Sequence, residues 1–245
     1  MFNYILLGII QGVFEWLPIS SEGISSLFSH FFIKGFNPVD LALFLHLGTL
    51  LAVIVYFRKD WWEIITFKNK KLLRFLFIAT VISLLISYPI YKMIKNAVLG
   101  GSLLLVVGLG LLITAFFHKK NLKIKIKLDH LALLTGFLQG LAVIPGLSRS
   151  GATIFSLSLN EENPEKILKV SYLMSGPIVL ASSFYLFLEN PNLASQSWPA
   201  LIASFIFGMI SLKILINWSK KINFFKFALF FSLICFLGAI LSFIL

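Results

Sequence analysis

Two short polar segments carry the residues of this chain that are best suited to chemistry. Residues 11–23 contain Glu15 and Ser21, and residues 139–151 contain Arg149. A carboxylate can accept a proton or bind a cation, and a serine hydroxyl can attack or bind a phosphoryl group. A guanidinium presents a planar fork that matches a phosphate. Together these side chains indicate phosphate chemistry.

Both segments place serines where a helix is expected to begin, after Pro18 and Pro145. Such serines cap the helix, whose free N–H groups and positive dipole end attract an anion. The residues predicted to bind substrate phosphate are Ser148, Arg149, Ser150, Gly151 and Thr153. The predicted catalytic residues are Glu15, Ser20, Ser21 and Arg149, supported by Gln11, Glu22 and His46. The alternative is a structural Glu15–Arg149 ion pair that only holds two parts of the chain together.

The two segments are related by a fixed offset. A shift of 128 residues aligns Gln11 with Gln139, Gly12 with Gly140, Ser20 with Ser148 and Gly23 with Gly151. Self-similarity of this kind is typical of a duplicated membrane protein. We predict one integral membrane domain over residues 1–245, with a first repeat at 1–122 and a second repeat at 123–245.

The composition indicates a membrane protein. Hydrophobic residues make up 58% of the chain and charged residues 13%, with a mean hydropathy of +0.94. Apolar runs of about 20 residues can cross a bilayer. The predicted spans are 39–57, 72–90, 99–117, 167–188, 198–217 and 226–245. The only cysteine, Cys235, lies in the last of them, so no disulfide or cysteine-metal framework is expected.

The number of spans determines how the repeats are related. Three spans per half bring the second copy in from the opposite face of the membrane. Residues 2–34 and 128–160 are apolar stretches broken by Pro and Gly, which membranes tolerate where they line a cavity or are buried in protein. We therefore predict an all-α polytopic membrane protein with two inverted-topology repeats. Each repeat is a re-entrant helical hairpin plus three transmembrane helices.

The net charge of +11 is concentrated in loops that the six spans place on one side of the membrane. By the positive-inside rule these loops are cytoplasmic and both termini lie outside, in the cell membrane. The charge is explained by topology and by attraction to anionic headgroups, so no nucleic-acid partner is expected.

The motifs resemble those of a known family. Residues 11–23 (QGVFEWLPISSEG) are similar to the first signature of the undecaprenyl-diphosphate phosphatases, the bacitracin-resistance family. Residues 145–154 (PGLSRSGATI) are similar to its second signature, and residues 45–53 (LHLGTLLAV) also resemble the family. The resemblance extends over the whole chain, including its length and duplication.

The resemblance implies an integral membrane enzyme that removes the terminal phosphate of a polyprenyl diphosphate, leaving the monophosphate carrier lipid. It also implies inverted repeats with two re-entrant hairpins, a homodimer, and a divalent cation, Mg²⁺ or Ca²⁺, which Glu15 could bind. Glu15 could instead act as general base, with Ser21, Ser20 or water as nucleophile.

One position departs from the family pattern. Its first signature usually ends in a histidine implicated in catalysis, and Ile24 stands there in this chain. Glu22 is one candidate to replace that base. Loss of the imidazole with retention of Arg149 would also suit a lipid-phosphate carrier or flippase without phosphatase activity, because secondary transporters share this architecture.

Overall fold

The computed structural model describes residues 1–17, 20–97, 126–144, 146–160 and 163–218, together with residues 105, 108, 109, 112, 113, 233 and 236. All regular structure in these parts of the chain is helical. The helices are α1 (Phe2–Phe14), α2 (Ser21–Phe32), α3 (Pro38–Tyr56), α4 (Arg58–Ile65), α5 (Lys70–Ala97), α6 (Leu128–Leu141), α7 (Arg149–Ser158), α8 (Pro164–Glu189) and α9 (Asn192–Trp218).

Four of these helices, α3, α5, α8 and α9, are long and apolar enough to cross a membrane. They match the predicted spans at 39–57, 72–90, 167–188 and 198–217, and the helical structure of the described residues is that of a polytopic membrane protein. The spans at 99–117 and 226–245 lie outside the described residues, apart from isolated helical positions.

Two of the long helices begin in the same way. The Asn37 side chain accepts hydrogen bonds from the backbone N–H groups of the first turn of α3, and Asn163 does so for α8. A proline follows each asparagine at the first helical position, where its fixed φ suits the helix and its missing N–H costs nothing.

The structure extends the helices beyond the apolar runs. α5 continues through Pro89 to Ala97, and α9 begins at Asn192 and contains Pro199. Proline is tolerated inside membrane helices because neighbouring groups can satisfy the freed carbonyl. The short helix α4, with Trp61 and Trp62 in a charged sequence, was not predicted.

The helices α1, α2, α6 and α7 are short, at 13, 12, 14 and 10 residues. At about 1.5 Å per residue none exceeds about 21 Å, whereas the hydrocarbon core of a bilayer is about 30 Å thick. None of the four can therefore cross the membrane alone.

Paired glycines pack these short helices against long ones. Gly8 and Gly12 lie against α9, where an added Cβ would be 2.2 Å from the Ala200 carbonyl oxygen and 2.6 Å from the Gly208 nitrogen. Gly136 and Gly140 lie against α5, where an added Cβ would be 2.5 Å from Ala79 O and 2.7 Å from Ile86 Cβ. Each pair is a Gly-x-x-x-Gly motif, which lets two helix backbones approach closely.

Trp16, directly after α1, fastens the same region to two long helices. Its side chain is buried, and its Nε1–H donates to the Gly208 carbonyl in α9 at 2.8 Å. Tyr172 in α8 donates its hydroxyl to the Trp16 carbonyl at 3.1 Å, and the two rings pack edge to face. The backbone next to Glu15 is thereby fixed from both sides.

Candidate active site

The site lies between two equivalent helix starts. At the first junction α1 ends at Phe14 and α2 begins at Ser21, and at the second junction α6 ends at Leu141 and α7 begins at Arg149. Ser20 and Ser148 are the N-cap residues, and each Oγ accepts a hydrogen bond from the glycine N–H three residues later. First-turn residues of both helices line one small polar pocket, so two positive helix ends face it.

The two junctions also bind each other. The Ser20 Oγ accepts a second hydrogen bond from the Gly146 N–H at 3.1 Å. In the opposite direction, the Ser150 hydroxyl donates to the Leu17 carbonyl at 2.9 Å. A Cβ at Gly23 would lie 2.8 Å from the Gly146 nitrogen, so only glycine allows this close approach.

Glu15 is the centre of the site and is almost completely buried. Its Oε1 lies 2.5 Å from Arg149 Nη2. Its Oε2 accepts hydrogen bonds from Gln11 Nε2 at 2.8 Å and from the Ser21 hydroxyl at 2.6 Å. The same Oε2 lies 3.1 Å from His46 Nε2. Both carboxylate oxygens are therefore engaged by protein groups.

His46 reaches the carboxylate from α3 with a defined orientation. Its Nδ1 lies 2.9 Å from the Ala42 carbonyl oxygen, a group that can only accept a hydrogen bond. Nδ1 therefore carries a hydrogen. The ring in this orientation presents its Nε2 to Glu15 Oε2 at 3.1 Å. The structure thus supplies an imidazole beside Glu15, although the motif position holds Ile24.

Arg149 is positioned by both halves of the chain. Besides Glu15, it donates from Nη1 to the Ser171 carbonyl in α8 at 3.3 Å. Its Nε is buried and has no hydrogen-bond partner. A buried donor without a partner costs free energy, so this N–H is available to an anion that enters the site.

Glu22 is the second buried carboxylate of the site. It follows Ser21 in the first turn of α2, and its Oε1 has no hydrogen-bond partner. Glu22 lines the polar pocket and also a larger cavity of about 180 Å³, as do His46, Ala142 and Arg149. The wall of the larger cavity is mainly apolar and comes from α3, α5, α6 and α8.

The other predicted phosphate-binding residues take part in protein contacts. Ser148 and Ser150 line the polar pocket, with their hydroxyl oxygens 3.0 Å apart. Gly151 gives its N–H to the Ser148 cap. Thr153 is fully buried, and its hydroxyl lies against the Arg149 carbonyl and the Ser171 hydroxyl.

The structure brings most of the predicted site residues together and adds several supporting groups that the sequence did not indicate. Ser25 donates to Gln11 Oε1 at 3.1 Å and holds that amide with its Nε2 toward Glu15. The carbonyls of Ala42 and Ser171 orient His46 and Arg149. Backbone carbonyls have no sequence signature, and Ser25 is recognisable only as a serine on the same face of α2 as Ser21.

The residues differ in their fitness to hold a divalent cation. Within the described parts of the chain there is no group of three or more His, Cys, Asp or Glu side chains that could hold a metal ion. Glu15 has both oxygens engaged, whereas Glu22 has a free oxygen. The one free carboxylate oxygen fits a hard divalent cation only if water or other oxygen ligands complete its shell, and not a cage made only of protein.

Comparison with known proteins identifies the family of this chain. Residues 4–239 match the family described as Bacitracin resistance protein BacA. Undecaprenyl-diphosphatase of Thermosipho africanus is 36% identical and covers 98% of both chains. The protein of the same name from Methanococcoides burtonii is 34% identical over 90% of this chain and 91% of its own length, and that of Methanopyrus kandleri is 30% identical over 92% and 91%. The chain therefore belongs to the bacitracin resistance protein BacA family.

Proposed function

We propose that this protein hydrolyses a polyprenyl diphosphate of the undecaprenyl type to the monophosphate carrier lipid and inorganic phosphate. The family and the printed activity of the relatives support this proposal. One observation carries it further: the Ser21 hydroxyl donates at 2.6 Å to a carboxylate whose other oxygen contacts Arg149. The hydroxyl of Ser21 as nucleophile, the carboxylate of Glu15 as base and the phosphate-binding guanidinium of Arg149 are therefore adjacent in one buried site.

The geometry favours Ser21 over Ser20 as the nucleophile. Ser20 Oγ accepts two backbone N–H groups, which occupy its lone pairs and hold the junctions together. Ser21 instead directs its proton at Glu15 Oε2. Activation by an adjacent base is what a hydroxyl nucleophile requires at neutral pH.

The reaction then has two steps. Ser21 Oγ bonds to the terminal phosphorus while the bond to the bridging oxygen breaks; polyprenyl monophosphate leaves with the electron pair and Glu15 takes the serine proton. Water then bonds to the phosphorus of the phosphoserine while the bond to Ser21 Oγ breaks; Ser21 recovers its proton from Glu15, and both water hydrogens leave with the released phosphate as H2PO4⁻. Arg149 and the two helix ends stabilise the charge on the transferred phosphoryl group.

A divalent cation, Mg²⁺ or Ca²⁺, is part of the proposal, with Glu22 as the carboxylate best able to meet it. When bound, it would neutralise charge on the diphosphate. The residues of the chain have separate tasks: Gln11 and His46 orient Glu15, and Glu15 holds Arg149 toward the cavity.

His46 favours hydrolysis over a carrier or flippase that only binds. The binding-only alternative follows from Ile24 standing at the histidine position of the motif. An imidazole nitrogen 3.1 Å from Glu15 Oε2 supplies the missing group from α3.

For the architecture we propose two inverted-topology repeats, 1–122 and 123–245, each with a re-entrant hairpin. Two observations support this. The short helices are too short to cross a membrane, and the glycine face of each first hairpin helix packs on a long helix of the other half: α1 on α9 and α6 on α5. We further propose a cell-membrane location with basic loops cytoplasmic, both termini outside, and a homodimer.

The experiment measures phosphate release from undecaprenyl diphosphate by the purified protein in detergent, together with binding of the lipid. We expect Arg149→Ala to lower release by at least about 10³-fold and to weaken lipid binding, because the phosphoryl charge loses its guanidinium. Arg74→Ala is the matched control, since Arg74 forms an exposed ion pair with Asp129. Lipid binding by the wild type that depends on Arg149, without any phosphate release, would support the carrier instead.

A further inference from the structure

Glu22 is a buried acidic group whose Oε1 has no partner in the protein. Only 6% of the residue is exposed, and its Oε1 has no hydrogen-bond donor within reach. A buried carboxylate oxygen without a donor or a cation is costly, and natural proteins keep such groups where something else satisfies them. The side chain lines the polar pocket and the larger cavity, so its missing partner can come from either.

In the same two cavities a buried hydrogen-bond donor lacks an acceptor. Arg149 Nε is buried without an acceptor, and Arg149 lines the same two cavities. One side chain therefore lacks a cation or donor, and the other lacks an anion or acceptor. A phosphoryl oxygen satisfies the arginine only. A phosphoryl group that carries a divalent cation satisfies both at once.

Glu15 is not free to take this cation. Its two oxygens are engaged by four side chains, those of Gln11, Ser21, His46 and Arg149. Gln11 is a neutral amide bound to Glu15 and Ser25. Glu22 is thus the carboxylate of this site with an oxygen available.

We propose that Glu22 is the protein ligand of a divalent cation that enters together with the diphosphate, so that cation and lipid headgroup bind as one unit. This assignment rests on the proposed hydrolysis of a polyprenyl diphosphate. Mg²⁺ and similar hard cations commonly use one or two carboxylates and complete their shell with substrate phosphates and water. The single free carboxylate oxygen matches that pattern.

The test measures Mn²⁺ binding to the full-length protein in detergent by electron paramagnetic resonance. The probe is a polyprenyl methylenediphosphonate, whose P–C–P bridge resists hydrolysis. Wild type is compared with Glu22→Gln, which keeps size and shape, and with Glu63→Gln, an exposed glutamate of α4. In the presence of the probe we expect Glu22→Gln to weaken Mn²⁺ binding at least tenfold and Glu63→Gln to leave it unchanged. In EDTA, Glu22→Gln should bind the probe within twofold of wild type.

Two results would overturn the assignment. Mn²⁺ affinity of Glu22→Gln equal to that of wild type would show that the cation is held elsewhere. Loss of probe binding by Glu22→Gln in EDTA would show that the carboxyl group contacts the phosphate directly. Failure of the wild type to bind the probe or to release phosphate would instead contradict the proposed function, so the two failures are distinguishable.

A second variant keeps the proposal testable if Glu22→Gln does not fold. Glu22→Cys places a soft thiolate where the carboxylate was, and thiolates favour Cd²⁺ over Mn²⁺. We expect Glu22→Cys with the probe to bind Cd²⁺ at least tenfold more tightly than wild type does. No gain in Cd²⁺ affinity in a folded Glu22→Cys protein would also overturn the assignment.

Discussion

The junction before α2 and the junction before α7 share a frame but carry different side chains. At both, a serine caps the helix through the glycine N–H three residues later, and a Gly-x-x-x-Gly helix precedes it. At the offset of 128 residues, however, Glu15 corresponds to Val143, Ser21 to Arg149, Glu22 to Ser150 and His46 to Met174. Packing and capping are therefore the same at both junctions, whereas the ionisable groups differ.

The division has a physical reason. Two copies of the first junction would bring several carboxylates together in a buried place, and two copies of the second would bring two guanidinium groups together; either is costly in a medium of low dielectric constant. One acidic and one basic junction neutralise each other through Glu15 and Arg149.

The largest expected effect comes from Ser21, the proposed nucleophile, whose counterpart at the second junction is Arg149. Ser21→Ala should lower kcat for phosphate release by at least about 10³-fold, because the nucleophile is lost. Binding of the lipid diphosphate should change little. Ser26→Ala is the matched control, since Ser26 is buried in the same helix and its hydroxyl has no partner. Retention of more than a tenth of the wild-type kcat by Ser21→Ala would identify water as the nucleophile.

Replacement of His46 tests whether the imidazole beside Glu15 takes part in catalysis. His46→Ala should lower kcat by about 10²-fold or more, within the range for a group that assists proton transfer. His30→Ala, also a histidine but outside the two cavities, should have little effect on kcat. Steady-state kinetics on both variants decides the point; equal kcat values would leave His46 as a packing residue.

Substitution of the interface glycines by alanine tests the helix packing that the two junctions share. Gly12→Ala and Gly140→Ala should each lower the free energy of unfolding by about 1–3 kcal/mol, because the new Cβ overlaps the facing helix. Gly12→Ala should cost more, since its nearest atom is a backbone nitrogen at 2.6 Å. Thermal unfolding in detergent measures both, with Ser195→Ala at an exposed site as control. Wild-type stability in both variants would contradict the packing of α1 on α9 and of α6 on α5.

The smallest expected effect is a difference in stability between substitutions at the two capping serines, Ser20 and Ser148. Ser20 has φ 59°, in the left-handed region, whereas Ser148 has φ −81°. Replacement by Gly removes either cap, but only at position 20 does Gly relieve backbone strain of about 1–2 kcal/mol. Unfolding free energies should therefore favour Gly over Ala by about 2 kcal/mol at position 20, and by about 1 kcal/mol or less at position 148. Equal differences at the two positions would contradict the strained conformation of Ser20.

The sequence was sufficient for those features that depend on local pattern. The apolar runs predict α3, α5, α8 and α9, because length and hydropathy decide whether a helix can cross a bilayer. The capping serines follow from residue type and from the glycine three residues later. The extension of α5 through Pro89 was not predictable, since tolerance of proline depends on neighbours in space.

The proximity of Glu15 and Arg149 was predictable from the sequence, but most of the contacts around them were not. Glu15 and Arg149 are conspicuous because charges inside apolar sequence require a partner. The pairing of His46 with Glu15, and the free oxygen of Glu22, depend on how α3 packs against the first junction. Such contacts join residues that are distant in sequence, and composition or spacing does not specify them.

The packing of the α1 glycines against α9 also has a consequence during synthesis. Gly8 and Gly12 of α1 emerge first from the ribosome, but the α9 surface that receives them is completed about 200 residues later. At translation rates of about 5–20 residues per second, that interval is on the order of 10–40 s. During that interval the glycine face of α1 lacks the helix that covers it in the folded protein. A chain truncated before α9 would therefore keep this face uncovered.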